Sequence, residues 1–256
     1  MTCLYFAGPQ SGQAIEAARL WDWDTKPLSI LVSYSYLDAY MPAHPYYAKA
    51  KSFMLDSGAF TAYTIGKPVD IDALIAEANK PLWDEAVGLD VIGDHVGSRK
   101  NAEYMLTRCP KAMPVFHIGD PWDLLDYYVA NWDKVGLSCR FGEAIKTSMR
   151  FYDQCFSRSW PHKFHSFGWV DEKALLANPF HSADAATWIM APAAFRNFPY
   201  QRGTRQVHLP IDYNLKLVVD GVLQFADRFW RMEQRITKKW ASTLATIPTK
   251  VCRAAD

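Results

Sequence analysis

Short apolar, β-prone runs recur along most of the chain, separated by helix-length stretches. The runs fall at Leu4 to Ala7, Ile30 to Tyr34, Ser52 to Leu55, Val87 to Ile92, Pro114 to Ile118, Lys134 to Leu137, Lys163 to Phe167 and His181 to Ala183. Helix-length segments lie between most of them, at Gly12 to Asp22, Asp70 to Trp83, Arg99 to Thr107, Trp122 to Asn131, Gly142 to Phe156 and Glu172 to Ala177. Strand then helix, repeated, predicts parallel strands with crossover helices. Eight runs is the count of an α/β fold of the (β/α)8 TIM-barrel type, and residues 1–190 are assigned to it as the catalytic core. Residues 191–256 are expected to form a basic helical C-terminal extension packed on the barrel, within the same domain. The competing architecture is an open doubly wound sheet, but Gly8-Pro9-Gln10-Ser11-Gly12 after the first run is a turn, not a dinucleotide fingerprint.

Composition supports one large core. Of 256 residues half are hydrophobic and 14% aromatic, and no segment has the composition of disorder. The first residues lack the basic and apolar regions of a signal peptide, and no apolar run reaches membrane-spanning length, so a soluble cytoplasmic protein is expected. Five scattered cysteines without C-x-x-C spacing read as reduced thiols, with no metal site and no cofactor expected. A His162 and His165 pair is discounted as a metal site, because a three-residue spacing across a strand points the two to opposite faces. Charge is uneven. Residues 196–253 carry eleven Lys or Arg against four Asp or Glu, a balance of +7, which leaves −6 elsewhere. That basic tail is either a phosphate-facing surface or a solvated helix face.

In a barrel of this type the active site forms where the strands end. Polar letters gather there: Ser33 and Ser35, Asp56 and Ser57, Asp90 and Asp94, His117 and Asp120, Ser138, His165 and Ser166, and Asp184. Asp70, Asp120 and Asp171 read as helix caps and are set aside. Asp56, on the turn Asp56-Ser57-Gly58, is the first candidate for chemistry, against the alternative of an Asx-turn or cap. Asp184 is a second carboxylate in an equivalent setting late in the chain.

Several segments together resemble the tRNA-guanine transglycosylase superfamily, and most closely its short phage-type branch of DNA-guanine transglycosylases. They are Leu55-Asp56-Ser57-Gly58-Ala59-Phe60-Thr61, Leu89-Asp90-Val91-Ile92-Gly93-Asp94 with Asn101 and Met105, Pro114-Val115-Phe116-His117-Ile118-Gly119-Asp120, Phe164-His165-Ser166-Phe167-Gly168, and Pro179-Phe180-His181-Ser182-Ala183-Asp184-Ala185-Ala186-Thr187-Trp188. The resemblance runs from about Phe53 to Trp188. It implies exchange of a guanine in nucleic acid, DNA in preference to tRNA, for a free 7-deazaguanine base. Asp184 then resembles the nucleophile and Asp56 the general acid and base. Asp90 resembles the residue that accepts from the purine N1–H and 2-amino edge, with Asp94 a competitor whose other role is a helix cap. His117 falls at a base-contacting position, or is a structural hydrogen-bonder. Gly136 and Leu137 fall where backbone groups meet the base, or at a strand kink. Ser57, Gly58 and His165 complete the expected substrate-binding set.

Two features depart from the family pattern. The zinc-binding C-x-C-x-x-C of the tRNA-modifying bacterial enzymes is missing, and Ser182-Ala183-Asp184-Ala185-Ala186 stands where many relatives read V-D-S. Beyond Trp188 the resemblance fades. Arg196, Arg202 and Arg205 lie among Phe198, Tyr200 and Gln201, a mix suited to holding a nucleic-acid strand. Lys238 and Lys239 lie on the basic face of the amphipathic stretch Leu215 to Leu244. They complete the expected nucleic-acid contacts. The alternatives are a tRNA-guanine transglycosylase and a non-catalytic accessory barrel that binds a nucleobase or nucleic acid.

Overall fold

Alternate residues of a strand face opposite ways, and here both faces find apolar partners, so the runs read as continuous in sequence. The computed structural model describes residues 2–139, 143–194, 197–202, 205–210 and 215–249. Its strands are β1 (Cys3–Ala7), β2 (Ser29–Ser33), β3 (Ser52–Asp56), β4 (Glu85–Val87), β5 (Ala112–Met113), β6 (Val115–His117), β7 (Lys134–Ser138), β8 (Lys163–Phe167), β9 (Ser182–Ala185), β10 (Asn197–Arg202) and β11 (Arg205–Pro210). The helices are α1 (Gly12–Leu20), α2 (Leu37–Tyr40), α3 (Ala59–Ile65), α4 (Ile71–Ala78), α5 (His95–Leu106), α6 (Trp122–Asn131), α7 (Ile145–Ser159), α8 (Glu172–Ala177), α9 (Thr187–Ala194) and α10 (Leu215–Ala245).

Strands β1 to β9 form one parallel sheet in the order β5-β4-β3-β2-β1-β9-β8-β7-β6. Its two ends, β5 and β6, are halves of a single fifth strand. Pro114 between them has no N–H to give a ladder, but its carbonyl accepts from Gly136 at 2.9 Å while that of Met113 accepts from Gly88 at 2.8 Å. The ring therefore closes, and the fold is a (β/α)8 barrel.

Side chains sort into two layers. Tyr5, Leu31, Met54, Val87, Met113 and Val115 pack together inside the barrel. Opposite-parity residues such as Phe6, Ile30, Leu55, Phe116 and Leu137 join the helices in a much larger outer layer, with Trp83 and Trp132 fully buried. Each large side chain buried there contributes about 1.5–3 kcal/mol.

Helix α10 packs on α1, α8, α9 and β1. It fills the eighth-helix position, so the boundary expected at residue 190 separates the barrel from its own last helix. The antiparallel hairpin of β10 and β11 intervenes between β9 and α10 and hides that continuity in the sequence. Glu233 fastens the helix: its Oε2 accepts the N–H of Leu4 at 2.9 Å and its Oε1 pairs with Lys51. No described helix is long and apolar enough to cross a membrane.

The fourth strand is shorter and earlier than its apolar run. The strand ends at Val87, the Gly88 N–H makes the last bond to Met113, and residues 89–92 leave the sheet as a loop. Asp90 is thereby freed from the strand and hangs over the barrel mouth.

Candidate active site

Three carboxylates stand near the C-terminal end of the barrel, and each is held differently. Asp56 ends β3. The next turn needs Gly58, whose φ of 75° is left-handed and whose Cβ, were there one, would stand 2.4 Å from Ser35 Oγ. The Gly58 N–H donates to Asp56 Oδ2 at 3.1 Å. The Asx-turn and the placement at the mouth thus coexist. Burial, aided by the nearby Asp184 and Asp90 carboxylates, pushes the Asp56 carboxyl up to about 6, against the Gly58 N–H that favours the ionised form.

Asp90 pairs with His117, Oδ2 to Nε2 at 2.9 Å. Burial works against a charged His117 imidazole, but Asp90 and Asp120 outweigh it and raise its pKa. Asp120 is not the expected helix cap. Its Oδ2 accepts the His117 N–H at 2.9 Å, and Pro121 takes the N-cap position of α6 with no side-chain bond. Asp94 does cap, accepting from the N–H groups of Val96 and Gly97 at the start of α5. Of the two rivals, Asp90 faces the cavity.

Asp184, on β9, is only 7% exposed. Its Oδ1 accepts from the Gly168 N–H at 3.0 Å and meets His165 Nε2 at 3.1 Å. No described residue donates to Oδ2.

Asp56 and Asp90 border a cavity of about 440 Å³, which Ser57, His117, Phe60, Phe167, Gly168 and Trp169 also line; Asp184 is not among the lining residues and sits behind Gly168, whose N–H it accepts. Trp169 is itself braced by a stack on Tyr152, 5.5 Å between ring centres at 24°. Aromatic walls and two carboxylates at the rim suit a flat, hydrogen-bonding ligand. Among the described residues no three His, Cys, Asp or Glu side chains converge on a metal position.

Other expected contacts fall elsewhere. His165 is fully buried, bonded through one ring nitrogen to Ser182 and through the other to Asp184. It supports a carboxylate and does not touch the cavity. Gly136 faces the barrel interior, but the Phe167 ring covers it, and Leu137 points into the outer layer. Ser166 also points outward and bonds Tyr152.

Lys238 and Lys239 lie at the opposite end of the barrel. The preceding Thr237 bonds Thr2 O ahead of β1, and Lys239 donates to Leu176 O at the end of α8. Their distance from the mouth removes them from the expected substrate contacts. Arg196 lies outside the described residues, as do the side chains of Arg202 and Arg205, whose backbone forms the hairpin.

Sequence reasoning missed Phe167 and Trp169. The signal for Phe167 was its parity with His165 on β8, which sends both inward.

No family model matches the chain, and no curated protein matches it in sequence. Solved structures that share its architecture include the following two. One is a protein from Coccidioides immitis assigned as a fructose-1,6-biphosphate aldolase, with a TM-score of 0.58, 13% identity, and coverage of 93% of this chain and 91% of that one. The other is the YdjI aldolase from Escherichia coli K12, with a TM-score of 0.57, 11% identity and 93% coverage of each chain. At such identities the likeness extends to the fold alone.

Proposed function

We propose that the protein is a base-exchanging glycosyltransferase, replacing guanine in nucleic acid, preferably DNA, by a free 7-deazaguanine. The observation that carries this reading is the unequal treatment of two carboxylates. Asp56 is pushed toward neutral pH and can both give and take a proton. Asp184 is clamped through Oδ1 and keeps Oδ2 free of protein donors among the described residues.

In this scheme the guanine lies between Phe167, Trp169 and the cavity rim, with Asp90 accepting from its N1–H and 2-amino group. Asp184 Oδ2 attacks C1′ as the C1′–N9 bond breaks, and the Asp56 proton passes to the departing base. The incoming base loses its N9 proton to Asp56 and displaces Asp184 from C1′. Two inversions give retention. A base paired in a duplex must first leave the stack, so the polymer is bound with that nucleotide extruded or already single-stranded.

The test is release of labelled guanine from duplex DNA, single-stranded DNA and tRNA, with and without a 7-deazaguanine base. Release that depends on added base supports exchange and names the polymer. Release without it indicates a hydrolase. Binding of polymer with no release by any route would reject catalysis and favour an accessory barrel. Asp184→Asn should abolish the covalent polymer adduct while leaving polymer binding in place.

A further inference from the structure

The interior of a barrel of this kind is normally filled by apolar side chains in layers. Here a column of polar groups runs beside the apolar cluster of Tyr5, Leu31, Met54, Val87, Met113 and Val115. Lys134 Nζ sits between the two Glu85 oxygens at 2.6 and 2.7 Å and reaches Ser182 Oγ at 3.5 Å. Ser182 Oγ meets His165 Nδ1 at 2.8 Å, and His165 Nε2 meets Asp184 Oδ1 at 3.1 Å. Ser182 and His165 are fully buried. Polar groups at such depth are costly unless each finds its partner.

Donor inventory favours one direction for this column. An ammonium only donates, so Ser182 Oγ accepts from Lys134 and spends its one proton on His165 Nδ1. An accepting Nδ1 leaves the ring proton on Nε2, which then donates to Asp184 Oδ1. A doubly protonated ring would aim a second donor at Ser182 Oγ and leave the serine proton without its acceptor. One neutral tautomer therefore satisfies every member, with the Ser182 and His165 protons oriented toward Asp184.

We propose that His165, oriented by Ser182 and the Lys134–Glu85 pair, is the positioning residue that aims Asp184. Together with the Gly168 N–H it engages Oδ1 twice and turns Oδ2 to the reacting carbon. His165 touches neither substrate nor reacting atoms. The role rests on the reading of Asp184 as the nucleophile.

The first measurement is independent of activity: the side-chain ¹⁵N resonances of His165 in the protein without substrate. Protonation at Nε2, lost or mixed in Ser182→Ala, is the expected result, and protonation at Nδ1 would overturn the column. The second is exchange kinetics of folded variants. His165→Leu should lower kcat by about 100-fold with little change in KM, because a carboxylate misplaced by about 1 Å costs that much. His165→Gln, whose amide can still donate to Oδ1, should recover part of it. An unchanged kcat in His165→Leu would reduce the column to packing and overturn the positioning role. Absence of exchange by the unsubstituted protein would reject the transglycosylase reading instead, and the tautomer separates the two failures.

Discussion

The ring of Phe167 lies on the α-carbon of Gly136, so closely that a Cβ there would stand 2.0 Å from Phe167 Cε2. The same ring packs edge-on against His165, 4.4 Å between centres. Phe167 also lines the cavity, which leaves the ring room to yield in that direction. Gly136→Ala should therefore cost about 1–3 kcal/mol, the usual range for overpacking, and should raise KM for the base by displacing the ring into its site. Urea denaturation and exchange kinetics measure the two effects. Phe167→Leu in the same chain should return most of the lost stability, and failure to do so would mean the strain lies elsewhere.

Asp56 links function to stability through pH. Its folded pKa of about 6 stands above the reference 3.8, so its contribution is fully present below 3.8 and is lost as pH rises through 6. Above that the ionised group costs at most about 3 kcal/mol. Asp56→Asn cannot ionise. It should melt higher than the unsubstituted protein at pH 7.5, match it near pH 3.8, and show no exchange at either. Thermal melts at the two pH values check the sign, and equal melting at pH 7.5 would contradict the raised pKa.

Asp56 was legible in the sequence because it ends an apolar run at a bendable turn, whereas Asp90 lay inside its run and was singled out by the resemblance, with Asp94 its rival. The depth of a group inside the barrel was not legible, since it depends on which parity faces inward and on the stagger between strands. His165 and Phe167 share a parity, yet one lies under Asp184 and the other lines the cavity. Apolar letters after Val87 made the fourth strand read too long, because hydrophobicity continues through Leu89, Val91 and Ile92 after the ladder stops. Lys134 and Glu85 begin strands that are far apart in sequence, and only ring closure brings them face to face.

The Asp90–His117 pair should tie stability to pH. His117 has a raised folded pKa, so its contribution is fully present below the unfolded value of about 6.5 and is lost as pH rises through the folded one. Asp90→Asn removes both the partner of His117 and the carboxylate that meets the purine edge. A charge-assisted bond is worth about 1.5–3 kcal/mol, so KM for the base should rise by roughly 10- to 150-fold. The alkaline loss of stability should vanish in His117→Asn, which thermal melts across pH check, and calorimetry of free base binding reads the effect of Asp90→Asn.

Glu233 is the one acidic group of α10 that the barrel buries against β1, at 4% exposure. The pairing of β1 with β2 begins at Tyr5 and Ser29, so the Leu4 N–H lies beyond the end of that ladder and takes Glu233 Oε2 in place of a strand carbonyl. Glu233→Ala would orphan this N–H and leave Lys51 without its carboxylate. Breaking a fully buried pair costs about 3–5 kcal/mol, and Lys51, with 28% of its side chain exposed, keeps enough water to place the loss near the lower end. Glu233→Gln retains an acceptor for Leu4 and should lose less. Both bonds lie at the end of the barrel remote from Asp56, so kcat of the folded fraction should hold while the urea midpoint falls at constant slope. A fall in kcat that parallels the midpoint would instead mean that seating α10 against β1 shapes the mouth, and that the two ends of the barrel are coupled through β1 and its neighbour β9.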